Sequence, residues 1–298
     1  MRIRDLEKAF TTELTILYDF EEARNIAWLA VSSVCQMSRI EYLGAKHDEL
    51  SSADEILLLR YLVELKTGKP LQYVLGETEF FGLPFKVNPS VLIPRPETEE
   101  LVDWIIKDIT QSKIEIDLQD QLILDIGTGS GCIPVALKKN LPAARVWGID
   151  VSSKAIDTAR ENSALNDVEV SFFEENIFGL LSKEMFKTPF SVIVSNPPYV
   201  TLAEKKSMHK NVVDFEPHGA LFVENDDPLQ FYKTIAIFAE ERLREKGRLF
   251  LEINENYGNE MITLLEESGF QNIELRQDLR GRERMIKAEK VSPIVATD

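Results

Sequence analysis

From Leu122 onward, short apolar runs alternate with stretches of helical period, and this alternation limits the possible folds more than any other feature of the chain. The runs Leu122–Ile126, Arg145–Ile149, Val168–Phe173, Ser191–Ser195 and Arg248–Ile253 read as strands. Helical stretches lie between or after them, near Cys132–Asn140, Ser153–Leu165, Pro228–Glu245 and Tyr257–Ser268. Such alternation predicts an α/β domain, a parallel sheet with helices on both faces. Gln271 to Lys287 reads as two further strands joined by a turn around Arg280-Gly-Arg. They bring the sheet to seven strands, mostly parallel.

The first seventy residues have a different character. Ile3, Leu6, Phe10, Leu14 and Leu17 recur at helical spacing, as do Ala23, Ile26, Ala30 and Val34. Ser52-Ala-Asp-Glu55 reads as a capping box ahead of the apolar run Ile56 to Leu65, with Gly68 and Pro70 as the stop. A small helical bundle is expected over 1–75. The aromatic and β-branched stretch Glu79 to Val87 reads as a β-hairpin with Gly82 and Pro84 in its turn, inside a linker over 76–94. Pro96 suits the first position of a helix whose buried stripe is Leu101, Val102, Ile105, Ile106 and Ile109. The α/β domain then covers 95–298.

Asp125-Ile-Gly-Thr-Gly-Ser-Gly131 follows a strand and opens a helix, where sheets of this kind bind ligands at the carboxyl ends of their strands. Gly127, Gly129 and Gly131 are spaced G-x-G-x-G, with Thr128 and Ser130 between them and Cys132 next. A dinucleotide fingerprint would place its third glycine at 132, and a P-loop would need a lysine that is absent here. The glycines let a ligand without phosphates lie close to the backbone. Asp150 ends the next strand, nineteen residues beyond Gly131, where a carboxylate accepts hydrogen bonds from two ribose hydroxyls. Loop and acid together point to S-adenosyl-L-methionine. Asn176 and Ile177 leave the third strand, where two readings stay open: contact with the adenine amine and ring face, or ordinary loop packing.

Ser195-Asn-Pro-Pro-Tyr199 follows the fourth strand, at the same end of the sheet as the glycine loop. Pro197 and Pro198 forbid continuation of the strand and fix a rigid turn. An amide or aromatic amino nitrogen is a poor nucleophile, because its lone pair is delocalised. Its two N–H bonds fit two acceptors, the Asn196 side-chain oxygen and the Pro197 carbonyl oxygen. Holding both positions the nitrogen for methyl transfer and stabilises the positive charge that grows on it. Tyr199 offers an aromatic wall for the planar group.

These three features resemble the amino- and amide-directed S-adenosylmethionine-dependent methyltransferases. Gly76-Glu-Thr-Glu-Phe-Phe-Gly, Val91-Leu-Ile-Pro-Arg-Pro-Glu-Thr-Glu99 and Phe215-Glu-Pro-His-Gly-Ala-Leu221 narrow the likeness. Together with the helical N-terminal region, they resemble the peptide chain release factor glutamine N5-methyltransferases, over about residues 1–290. The resemblance implies a Rossmann-like methyltransferase sheet and methylation of the Gly-Gly-Gln glutamine of class-1 release factors, with S-adenosyl-L-homocysteine as the other product. It also implies cofactor binding by Gly127 to Gly131, Asp150, Asn176, Ile177 and Asn196, a grip on the glutamine by Asn196, Pro197, Pro198 and Tyr199, and a release-factor docking role for the N-terminal bundle. For Arg95 and Thr98 it leaves two readings, shaping the pocket beside the cofactor or starting and capping the helix. Two stretches depart from the family pattern. Phe222-Val-Glu-Asn-Asp-Asp-Pro228 lacks a glycine-flanked acid and leaves Pro228 to start a helix, and Asp214 stands where relatives can carry a base.

Composition narrows the alternatives. Lys and Arg number 34 against 50 Asp and Glu, a formal net charge of −16, which opposes non-specific adhesion to nucleic acid or anionic membranes. An adenine-N6-type nucleic-acid methyltransferase shares the Asn-Pro-Pro-Tyr grip, but needs a basic, aromatic surface to hold an extruded base. Two cysteines, Cys35 and Cys132, cannot build a disulfide scaffold, and Met1 to Phe20 mixes acids among its apolar residues, so the cytoplasm is the expected compartment. The three histidines are scattered, and no metal site or membrane span is expected.

Overall fold

The computed structural model describes residues 1–111 and 118–291. Its chain divides into two compact units, Met1–Glu77 with His209–Phe215, and Thr78–Met208 with the chain from Glu216 onward.

The first unit is helical. It comprises α1 (Ile3–Leu14), α2 (Phe20–Cys35), α3 (Arg39–Gly44), α4 (Ser52–Leu65) and α5 (Leu71–Leu75), and the inserted segment holds a further short helix, Lys210–Phe215. Ile3, Leu6, Phe10 and Leu14 of α1 are buried with Ala23, Ile26 and Ala30 of α2 and Leu58 and Leu65 of α4, all read as apolar helical positions in the sequence. Leu17 lies beyond α1 and is exposed. Asp19 Oδ1 accepts the Glu22 N–H at 2.8 Å to start α2, and Ser38 and Glu41 form a reciprocal capping box on α3. At α4 the cap is Ser51, not Ser52: its Oγ accepts the Asp54 N–H at 3.1 Å, three residues on. Within this unit Tyr18 stacks on His209, with ring centroids 5.6 Å apart.

β1 (Glu77–Phe80) and β2 (Leu83–Lys86) form the expected hairpin. Its turn is Phe81-Gly82, at φ 53° and 71°, the two left-handed residues of a tight two-residue hairpin, and Pro84 sits inside β2 rather than in the turn. Next come α6 (Pro96–Thr110), β3 (Leu122–Ile126), α7 (Cys132–Asn140), β4 (Arg145–Asp150), α8 (Ser153–Leu165), β5 (Ser171–Glu174) and β6 (Phe190–Ser195). The short pair β7 (Val200–Thr201) and β8 (Phe222–Val223) flanks the inserted helix, hereafter α9. The chain ends through α10 (Gln230–Arg242), β9 (Leu243–Glu252), α11 (Gly258–Glu267), β10 (Phe270–Gln277) and β11 (Glu283–Lys290).

Seven strands form one sheet in the order β10-β11-β9-β6-β3-β4-β5. β9, β6, β3, β4 and β5 run parallel, and β11 and β10 close one side antiparallel, so the α/β expectation holds. Alternate strand residues point to opposite faces. Ile123, Val146, Val192 and Phe250 pack with α6, α7 and α8 on one face. Leu124, Ile149, Ile193 and Leu251 pack with α10 and α11 on the other. From β3 the chain winds through β4 to β5, then returns to place β6 on the opposite side of β3. That reversal opens a crevice at the carboxyl ends of β3 and β6.

Two boundaries differ from the sequence reading. The helix expected over Pro228–Glu245 begins at Gln230, two residues past Pro228, and ends at Arg242. β9 starts at Leu243 instead of Arg248, because Leu243 pairs with Phe190 ahead of a register shift. Lys246, at φ 58°, and Gly247 carry the irregularity. Gly247 is required there, since a Cβ would lie 2.7 Å from the Arg244 carbonyl oxygen. The third strand is shorter than expected, starting at Ser171 instead of Val168.

Candidate active site

The turn after β3 carries the glycine loop, and its backbone explains its composition. Gly127, Gly129 and Gly131 have φ of 75°, 53° and 78°, a region that side chains with a Cβ rarely adopt. The Gly127 and Thr128 N–H groups donate to the Ile149 carbonyl at 2.9 and 2.8 Å, which ties the loop to β4. A Cβ on Gly127 or Gly129 would meet nothing within 4 Å, so both glycines border open space. One on Gly131 would lie 2.9 Å from the Ala159 Cβ, so that glycine seats α8 against the loop.

Asp150 ends β4 beside this loop. Its Oδ2 accepts the Gly129 N–H at 2.9 Å and its Oδ1 accepts the Ser152 N–H at 2.9 Å. Each carboxylate oxygen keeps a further lone pair for a ligand hydroxyl. Burial pushes the Asp150 carboxyl up, and the Ser152 and Gly129 N–H groups pull it back. Beneath the loop, Asp125 is fully buried and both its oxygens lack a hydrogen-bond partner of good geometry. Desolvation pushes its carboxyl up to about 7, against the pull of the neighbouring Thr128 hydroxyl and helped by the Asp150 charge.

A cavity of about 450 Å³ opens from the loop across the switch point. Gly127 to Ser130, Asp150, Asn176, Ile177, Asn196, Pro197 and Pro198 all line it, so residues from the ends of four strands, β3, β4, β5 and β6, meet at one space. Arg95 and Thr98 line it as well. Asn176 also starts the turn at Ile177, its Oδ1 accepting the Phe178 N–H at 3.0 Å. Gly131 and Tyr199 are not among the lining residues. The Tyr199 ring packs with the core on the α10 face, and its hydroxyl donates to Glu252 Oε1 at 3.0 Å.

Glu252 escaped the sequence reading. Ser195 of β6 pairs with Leu251 of β9, so the next residue on each strand, Asn196 and Glu252, emerges side by side at the carboxyl edge. Glu252 is 1% exposed. Thr98 donates to its Oε2 at 2.7 Å, and Asn196 Nδ2 donates in turn to Thr98 Oγ1 at 3.1 Å. Burial pushes the Glu252 carboxyl up, while the Thr98 and Tyr199 hydroxyls and the Arg284 charge pull it down. The signal available in the sequence was one acid inside the apolar run Leu249 to Ile253, at the carboxyl end of a strand.

Arg95 reaches Glu216 at 2.6 Å, and Glu216 Oε2 accepts the Ile93 N–H at 3.2 Å. This buried acid holds the stretch that supplies Pro217, Gly219 and Ala220 to the cavity wall. Among the described residues, no cluster of His, Cys, Asp or Glu could hold a metal ion, and no helix is long and apolar enough to cross a membrane.

Residues 108–218 match the family described as methyltransferase small domain, and residues 10–76 match the PrmC N-terminal domain. The chain is 47% identical over 290 residues to a Flavobacterium psychrophilum protein named release factor glutamine methyltransferase, covering 96% of this chain and 99% of that one. A Bacteroides thetaiotaomicron protein of the same name is 39% identical over 274 residues, covering 92% and 95%. Among solved structures, a Thermus thermophilus 16S rRNA N2 G1207 methyltransferase in complex with AdoMet and guanosine has a TM-score of 0.51 at 19% identity, covering 72% of this chain and 49% of that one. That likeness shows the fold alone. With such identity over nearly the whole length of both chains, the protein belongs to the release factor glutamine methyltransferase family.

Proposed function

We propose that this chain transfers a methyl group from S-adenosyl-L-methionine to the side-chain amide nitrogen of the glutamine in the Gly-Gly-Gln motif of class-1 release factors, in the cytoplasm. One observation carries the reading: Asn196 and Pro197 share one cavity with the glycine loop and Asp150. The residues fit the cofactor. Gly127 and Gly129 border space that a Cβ would enter, Asp150 has lone pairs left for ribose hydroxyls, and Ile177 offers an apolar surface for a base.

S-adenosyl-L-methionine supplies a methyl group on a sulfonium centre, an electrophile that needs no metal. The chain's own part is positioning. Asn196 Oδ1 and the Pro197 carbonyl accept the two N–H bonds of the glutamine amide, which fixes the direction of its nitrogen lone pair. The same two acceptors stabilise positive charge developing on that nitrogen, which releases one N–H proton to water once the methyl has transferred. Pro197 and Pro198 hold the acceptors rigid. Tyr199 acts from behind the turn, because its hydroxyl is committed to Glu252. The N-terminal helical unit is assigned to release-factor docking.

Labelled S-adenosyl-L-methionine, incubated with a purified class-1 release factor and followed by peptide mass mapping, tests the reading. Label on the Gly-Gly-Gln glutamine, and none on a Gly-Gly-Ala factor or duplex DNA, is the expected result. Label on DNA with none on the factor overturns it in favour of base methylation.

A further inference from the structure

Amide side chains are ambiguous partners: turned by half a revolution, an asparagine offers two donors where it had offered an acceptor. Asn196 must present oxygen to hold an N–H group, so something has to fix which way round it sits. We propose that Glu252, acting through Thr98, sets the orientation of the Asn196 amide and so makes Asn196 Oδ1 the atom that faces the substrate nitrogen.

The argument is a chain of donors and acceptors. An ionised Glu252 only accepts, and it receives Tyr199 at Oε1, 3.0 Å away, and Thr98 at Oε2, 2.7 Å away. Thr98 has a single hydroxyl proton, and Glu252 takes it. Towards Asn196 the Thr98 oxygen is therefore left only with lone pairs, so the Asn196 atom 3.1 Å away is the NH2 group. Turning the amide over would set its oxygen against the lone pairs of Thr98 and forfeit that hydrogen bond. Thr98 and Glu252 are 2% and 1% exposed, so water does not compete for either bond. Burial raises the Glu252 carboxyl, and the Thr98 and Tyr199 hydroxyls, with the Arg284 guanidinium 5.8 Å from the centre of the Tyr199 ring, favour its ionised form against that. Thr98 and Glu252 are thus positioning residues, and neither need touch the substrate.

The inference rests on the amide-methylation reading, and its test separates the two. Unmutated protein, Thr98→Val, Thr98→Ser and Glu252→Gln are compared for release-factor methylation, cofactor affinity and thermal stability. Thr98→Val removes the relay oxygen. Glu252→Gln frees the Thr98 hydroxyl from its obligation to donate, because an amide both donates and accepts. Both are expected to lower kcat by about ten- to a hundredfold, less than the roughly 10²–10³-fold for deleting a transition-state partner outright. KM for the release factor and cofactor affinity should move little, and Thr98→Ser should restore most of the rate lost in Thr98→Val.

The double variants with Asn196→Ala give the decisive comparison, because residues that act only through Asn196 lose their effect once it is gone. Additive losses, or kcat at the unmutated level in a folded Thr98→Val or Glu252→Gln protein, overturn the inference. An independent readout is the Asn196 side-chain NH2 signal in nuclear magnetic resonance, assigned by its absence from Asn196→Ala. It should shift on Thr98→Val in cofactor-free protein, and an unmoved signal also overturns the inference. If unmutated protein labels no release factor, the proposed function has failed instead, while the spectroscopic comparison still decides the orientation.

Discussion

Asp150 holds the backbone N–H of Gly129 at 2.9 Å, so the acid proposed to hold the cofactor's ribose also braces the glycine loop beside it. Replacing it removes both functions. Asp150→Ala should weaken S-adenosyl-L-methionine binding by about ten- to a hundredfold, the scale of hydrogen bonds to a charged group. Titration calorimetry measures this directly, and unchanged affinity would remove Asp150 from the site.

Asn196 is proposed to act at a later step. Asn196→Ala should cut kcat by roughly 10²–10³-fold and leave cofactor affinity near that of the unmutated protein, since the role proposed for it is to hold the acceptor nitrogen. Single-turnover transfer of labelled methyl, set beside calorimetric binding, separates the two quantities. A large loss of cofactor affinity would contradict the assignment.

The loop glycines should divide into two classes. Gly131→Ala places a Cβ 2.9 Å from Ala159 at φ 78°, so overpacking adds to the left-handed backbone penalty and it should lower stability by about 2–5 kcal/mol. Gly127→Ala meets nothing within 4 Å. It should cost only the left-handed backbone penalty, about 1–2 kcal/mol, and act mainly on cofactor affinity by filling space at the cavity wall. Thermal melts with and without cofactor distinguish them: the gain in Tm on adding cofactor should shrink for Gly127→Ala.

Asp125 gives the fold a pH dependence of definite sign. Its carboxyl ordinarily titrates at 3.8 and is pushed up to about 7 in the folded chain. Between these values the folded state keeps a proton that the unfolded state has released, so stability falls as pH rises from about 4 to about 7 and levels off above that. Asp125→Asn keeps the shape and removes the titration. In denaturant unfolding at pH 5 and pH 8, the variant should gain stability relative to the unmutated protein at the higher pH. An equal difference at both pH values would place the cost elsewhere.

Much of this was legible because the signals were local. The runs Leu122–Ile126 and Ser153–Leu165 carry their own period, and three glycines at φ near 75°, 53° and 78° leave a plain mark in a sequence. What escaped depended on partners distant in the chain. Leu243-Arg-Glu-Lys246 is composed like a helix end, yet pairing of Leu243 with Phe190 draws it into the sheet. Leu71–Leu75 forms a short helix because Pro70 sets its start and Gly76, at φ 79°, closes it, a signal overlooked beside the hairpin that follows. Glu252 looked like an interruption in an apolar run. Its importance comes from Thr98, 154 positions away, and from Tyr199, 53 away. Tyr199 was read from its ring, whereas its hydroxyl fixes its place.

The two outer strands of the seven-stranded sheet bear on a different matter, self-association. An open strand edge is a row of unpaired donors and acceptors, on which a second copy can assemble. Here one border is β5, only four residues long. The other is β10, whose register breaks between Gln271 and Glu274 and again between Arg276 and Gln277, and which carries the Glu274–Arg276 ion pair. A short border and an irregular, charged one both offer a poor template for a further strand, so the two edges disfavour strand addition between copies of this protein.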